Sequence, residues 1–242
     1  MLPSVEVLAM ALVIGLYLQD TLVLLYDNEA VLEEAGGRGY RVRFGAHGFQ
    51  LAGRNPFLPN PLTPWRAAFR LAWHVRPLPA PTPGAVTPES ARAALRGATW
   101  GLPPIAAGLF IGLPLCLYFD AGWPPFLSLV GLMYAAAVFV LVWLWRHRTR
   151  LALGKGTLAL LTFESLVCLP CALNVLRKAT GRIRIEADLL EVARPRVSAG
   201  DLRQTTGQIL RRIDESIESA ENGSPEWQAL TEYRARLAGG AA

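Results

Sequence analysis

Charge is nearly absent from residues 7–26, 101–119, 124–145 and 156–176 of this 242-residue chain. About 20 apolar residues carry a helix across a hydrocarbon core. Within lipid, only helices and closed barrels satisfy their own backbone. These four stretches therefore constrain the fold more than any other feature. They predict an all-α polytopic membrane protein with three transmembrane helices and a fourth segment, 156–176, that either spans or re-enters. Composition points the same way: 52% of residues are hydrophobic and mean hydropathy is +0.29, more apolar than an ordinary soluble domain.

The rest of the chain falls between these stretches. Residues 1–26 form the first transmembrane helix. No Lys or Arg precedes Arg38, so the positive n-region of a cleavable signal peptide is missing. Residues 27–99 form a connector. In it, Tyr40-Arg-Val-Arg-Phe44 alternates at period two, and with Phe49-Gln-Leu-Ala52 it predicts a small β-hairpin across Gly45–Gly48. Four prolines between Asn55 and Pro64 exclude helix there. Trp65, Phe69 and Trp73 then recur every four residues beside Arg66, Arg70 and His74. This pattern predicts a short interfacial helix with rings in the acyl boundary and arginines on phosphates, or else a helix packed on the hairpin. Residues 77–88 are a Pro-rich linker.

Residues 100–145 read as a transmembrane helical hairpin turning at Asp120-Ala-Gly-Trp123. Gly108 and Gly112, and Gly131 and Ala135, are small-residue pairs that allow close helix approach. Pro114 predicts a kink. Residues 146–176 comprise a basic connector and the fourth apolar segment. The tail, 177–242, predicts an αα-hairpin. Ser198 caps one helix, with Leu202, Thr206, Ile209, Ile213 and Ile217 on one face. Asn222-Gly223 stops it, and Ser224-Pro-Glu starts the next. Its core is small, so it should dock on the connector, a second copy or another protein.

Basic residues set the expected sidedness. The chain has only two lysines, Lys155 and Lys178, among 24 basic residues. Arg146, Arg148, Arg150 and Lys155 place 146–155 in the cytoplasm, together with residues 27–100, and the turn 120–123 lies outside. Arg177, Lys178, Arg182 and Arg184 would also hold the tail inside, which favours a fourth segment that dips in and returns. Pro170 supports a break, because it frees the carbonyl of Leu166.

Three features could carry chemistry. Cys168-Leu-Pro-Cys171 is a C-x-x-C, suited to dithiol redox or to soft-metal ligation with Cys116 as a third sulfur. The plain alternative is cysteines packing as small hydrophobes. Glu164 falls on the same helical face as the pair and is a candidate catalytic or proton-carrying group. Asp20 is the other carboxylate within an apolar segment, and such groups mark transport pathways or sit tolerated near helix ends. His47, His74 and His147 lie away from this cluster. No P-loop, H-E-x-x-H, G-x-S-x-G or dinucleotide motif occurs.

These features lead to a multi-pass protein of a bacterial inner membrane, structural or accessory in kind. Its partners would be the lipid bilayer and a protein or second copy reached through the tail or transmembrane helices, with no nucleic acid. No cofactor is implied beyond the possible metal. The alternatives are an intramembrane thiol redox or soft-metal protein using Cys168 and Cys171, and a small-solute or ion transporter using Asp20 and Glu164.

Overall fold

The computed structural model describes residues 5–36, 39–76 and 78–239. About 59% of the chain is helical and 10% lies in strands, which form two small sheets. Two compact units share the sequence in alternating pieces. The first comprises Met1–Leu22, Leu58–Ala67 and Val86–Arg184; the second comprises Val23–Phe57, Ala68–Ala85 and Ile185–Ala242.

The expected all-α polytopic class is not what folds. Among the described residues, two helical runs are long and apolar enough to cross a membrane, Ala98–Tyr118 and Trp123–His147, rather than three or four. Two local causes account for the difference. Among the described residues, helix α1 (Val5–Thr21) has 17 residues, and its last turn is spent on polar contacts of Asp20 and Thr21. The fourth segment is broken. Helix α6 (Lys155–Val167) has 13 residues and ends where Cys168 turns extended at φ −126°, ψ 95°. Short helices α7 (Leu169–Ala172) and α8 (Val175–Gly181) follow. Pro170 lacks the N–H that would bond the Leu166 carbonyl. The Tyr134 hydroxyl donates to that carbonyl instead, at 3.2 Å.

In the first unit, α2 (Pro88–Leu95) leads into the two apolar runs. The first run contains α3 (Leu102–Ala107), a π turn at Gly108–Gly112 and α4 (Leu113–Tyr118). The second is α5 (Trp123–His147). The π turn answers Pro114: widening the ladder just before a proline relieves its clash with the preceding turn. Left-handed residues Asp120 (φ 46°) and Gly122 (φ 75°) close the hairpin. The runs pack antiparallel along a glycine stripe. A Cβ on Gly97, Gly101, Gly108 or Gly112 would strike Trp143, Val140, Met133 or Leu129 in turn, closer than side chains approach. The second small pair does not join this seam, since Gly131 has nothing within 4 Å of where a Cβ would stand.

Strands organise the second unit. β1 (Val23–Leu25) pairs with β4 (Asn55–Phe57), and β2 (Glu29–Glu34) lies between β3 (Tyr40–Arg43) and β5 (Ala68–Ala72), all antiparallel. The expected partner of β3 was Phe49–Ala52; its actual partner is β2. The expected interfacial helix is β5. Phe69 is fully buried, Trp73 stacks edge-on against Phe44 at 6.0 Å, and Arg70 bonds Glu29 across the sheet. Trp65 and Arg66 precede the strand, in the first unit. The physical reason is burial. Period-four rings and period-two burial both fit a stretch this short, and pairing with β2 covers Phe69 and Leu71.

The tail forms the αα-hairpin its caps imply. Helix α9 (Leu189–Ala193) is capped by Asp188. Helix α10 (Ala199–Ser219) starts at Ser198, whose hydroxyl accepts from the Asp201 N–H at 3.1 Å. Gly223 turns at φ 82°, and α11 (Pro225–Gly239) begins beside Ser224. Of the three docking surfaces available to this tail, the connector's strands are used. Arg212 of α10 is buried, donates to the carbonyls of Asp27 (2.9 Å) and Gly45 (3.1 Å), and lies over the Phe44 ring. Gly45 itself lies close against β4, where a Cβ would collide with Asn55.

Candidate functional site

The two carboxylates of the apolar segments, remote in sequence, meet at one cation. Lys178 on α8 bonds Asp20 at the end of α1 and lies 2.8 Å from Glu164 on α6. Arg182 stands 3.9 Å from the other Glu164 oxygen. Asn174 sits one helical turn before Lys178. Its Nδ2 reaches Asp20 Oδ2 at 3.2 Å, Thr21 Oγ1 at 2.9 Å and the Tyr17 carbonyl at 3.3 Å. Asn174 and Thr21 are buried, and the Lys178, Asp20 and Glu164 side chains are 22%, 13% and 30% exposed.

A second layer ties the same elements to the 58–67 segment. Arg177 is buried and donates to the carbonyls of Asn60 and Thr63. The Tyr17 hydroxyl donates to the carbonyl of Pro61. That segment is rich in proline, so few of its own N–H groups can satisfy its carbonyls. Arginine and tyrosine side chains supply the donors.

Electrostatics make this a closed ion cluster. Burial works against the Lys178 ammonium, but the hydrogen bonds it donates to Asp20 and Glu164 outweigh it and hold its pKa above the ordinary lysine value. The group therefore stays charged at neutral pH and is unsuited to act as a base or amine nucleophile. Both Asp20 oxygens are engaged, one by Lys178 and one by Asn174. What the arrangement does chemically is hold three helices by opposite charges that pair with one another instead of with water.

The cysteines take a different place from the one their spacing suggests. Cys168 is the hinge between α6 and α7, and the Cys171 N–H bonds its carbonyl at 2.9 Å. All three cysteines are free thiols. Burial pushes the Cys171 thiol well above its usual range, reinforced by a hydrogen bond with Cys168 and by the Asp20 carboxylate. A thiol held neutral is a poor nucleophile and a poor metal ligand. Cys116 lies on α4, in the apolar hairpin. Among the described residues, no three His, Cys, Asp or Glu side chains gather as a metal site would require, so Cys116, Cys168 and Cys171 do not form the sulfur set that their chemistry could have offered.

The structure thus joins Asp20 and Glu164 and sets Cys171 at the edge of their cluster. Trp65, Arg66, Phe69, Arg70 and Trp73 are dispersed between a loop and a sheet. Sequence reasoning missed Lys178, Thr21 and Arg177 as members of this cluster. The available signal was modest: Lys178 is one of two lysines in an arginine-rich chain, and Asn174 is an amide in an apolar stretch one turn away. Reading Arg177 and Lys178 only as topology charges hid their inward role. No family model matches the chain, and no curated protein or solved structure matches it.

Proposed function

We propose that this chain is a membrane-anchored accessory protein. The helical hairpin from Ala98 to His147 enters a bilayer, and the second unit, a sheet covered by the αα-hairpin, serves as the water-facing module that engages a partner. One observation carries the reading. The most apolar 18 residues of the two runs have mean hydropathies of 1.7 and 2.4, yet only 28% of each such stretch is buried within the protein. Ile111, Leu132 and Val142 are each about three-fifths exposed. A core helix of a soluble protein would cover such side chains, and lipid does so at no cost.

Charge supports one orientation. The open end of the hairpin carries Arg96, Arg146, Arg148 and Arg150, and the Asp120–Trp123 turn carries no basic residue. The open end therefore belongs on the cytoplasmic face. Trp100, Trp143 and Trp145 lie at that end and Tyr118 and Trp123 at the other, as two interfacial belts would.

Alkaline carbonate extraction and impermeant maleimide labelling test this together. In a background without native cysteines, Ala121→Cys should label in intact cells and Ala220→Cys only after lysis, and the protein should stay in the carbonate pellet. Release into the carbonate supernatant would overturn the anchor. Labelling of both positions in intact cells would overturn the orientation.

A transport role keeps one observation in its favour, the convergence of Asp20 and Glu164 on Lys178. The pairing of both carboxylates with Lys178 favours a structural latch.

A further inference from the structure

The geometry of the second unit points to a phosphate-binding groove between β3 and α10. A depression of about 470 Å³ opens there. Period-two alternation puts Arg41 and Arg43 on one face of β3, with buried Tyr40 turned the other way. Gln204, Gln208 and Arg211 recur at helical spacing along the facing side of α10, and Arg212 closes the floor.

The roles of these arginines separate by their partners. Arg212 is committed to the fold, bonded to the Asp27 and Gly45 carbonyls. Arg41, Arg43 and Arg211 are exposed. No carboxylate among the described residues stands within 4 Å of any of the three, whereas Arg70 and Arg234 each have an acid partner. The lining contains one acid, Asp201, which accepts the Ser198 hydroxyl at 2.8 Å within the cap of α10. His47 at the rim faces Glu215 at 3.2 Å. Glu33 stands opposite Arg41 in the β2–β3 register but outside the lining, so the groove keeps an excess of positive charge.

That donor set selects the ligand class. Guanidinium groups present rigid forks that bind phosphate oxygens two at a time, and the two glutamines add neutral donors for remaining oxygens. A carboxylate would occupy one fork and leave two cations facing each other. A phosphate group with two negative charges and several oxygens answers three forks at once. It can come from an anionic phospholipid headgroup or from a soluble phosphorylated compound. The inference deepens the reading of the second unit as a binding module and is independent of the membrane anchor.

The test uses the full-length protein in neutral detergent and two probes. Inorganic pyrophosphate represents the soluble source; dihexanoyl phosphatidic acid, with dihexanoyl phosphatidylcholine as its neutral control, represents the lipid source. Calorimetric titration should show saturable binding of at least one, weakening with added salt. The Arg41→Gln, Arg43→Gln double variant and the Arg211→Gln variant should each bind about tenfold more weakly or worse, at little-changed melting temperature, because these side chains are exposed and make no ion pair among the described residues. Binding of phosphatidic acid alone assigns the lipid headgroup, and binding of pyrophosphate assigns a soluble phosphate. Absence of binding by both below about 1 mM, or undiminished affinity in both variants, overturns the proposal. Carbonate release of the protein would sink the anchor and leave this result standing.

Discussion

Lys178 shows how much one residue can carry. Removing its charge by Lys178→Met leaves Asp20 largely buried without a counter-ion and Glu164 with Arg182 alone at 3.9 Å, and breaking such a set costs about 3 kcal/mol. The expected outcome is a clear drop in melting temperature of the detergent-solubilised protein. Adding Asp20→Asn and Glu164→Gln to the same variant should restore most of the loss, because the uncompensated charges are gone. A lone Lys178→Met as stable as wild type would remove the latch. The pH dependence has a definite sign. The folded-state pKa of Lys178 is raised above its ordinary value of 10.5. Its contribution is therefore complete below pH 10.5 and is lost as pH rises from there through the raised value. Wild type should melt progressively earlier across that alkaline window, and Lys178→Met should show less of this slope. The neighbouring thiol gives a separate check. Alkylation of Cys171 at pH 8 should be much slower in the folded protein than after denaturation, since the thiolate is the reacting form and burial, Cys168 and Asp20 all disfavour it. Equal rates in the two states would contradict that. At this scale the sequence displayed Asp20 and Glu164, because a carboxylate in an apolar run is conspicuous. It did not display their partner: Lys178 is 158 residues from Asp20, and the break at Cys168 takes it off the helical spacing that would relate it to Glu164.

The same contrast holds for elements. The apolar hairpin and the tail were legible because their information is local: length and hydropathy for one, and Ser198, Gly223 and Ser224 as start and stop chemistry for the other. The strands were not. β2 reads Glu-Ala-Val-Leu-Glu-Glu, residues that favour helix in isolation, yet Ala30, Val31 and Leu32 are all buried between strands on both sides. Tertiary pairing overrides propensity there. In the hairpin, the glycine stripe yields a graded expectation. Gly101→Leu and Gly108→Leu should each force the two runs apart against Val140 and Met133, at a cost of about 1–3 kcal/mol or more. Gly131→Leu should be tolerated, since open space surrounds that position. Thermal melts of the three variants check this, and equal loss at Gly131 would show that the outer face of α5 is packed as tightly as the inner one.

At the scale of the molecule, the chain builds two units from interleaved pieces, so the sequence order of segments is a poor guide to what folds together. The second unit needs strands from residues 23–72 and helices from 185–239. Its tail is consequently no independent domain. Ile209, Ile213 and Arg212 are buried, and the Arg212 bonds go to Asp27 and Gly45, about 170–185 residues away. The first unit depends on none of these contacts, because the Asp20–Lys178–Glu164 cluster and the 58–67 segment are closed within it. Ending the chain at Val197 separates the two dependencies. Loss of α10 and α11 strips the cover from Gly45 and Phe44 and removes the donors that Arg212 supplies to two backbone carbonyls. Hydrogen exchange followed by mass spectrometry should then show β2, β3 and β5 losing protection while α5 and the Asn174–Lys178 turn keep theirs. Unchanged protection in the strands would mean that the sheet stands without the tail. Joint loss in both units would mean that the two fold as one cooperative body.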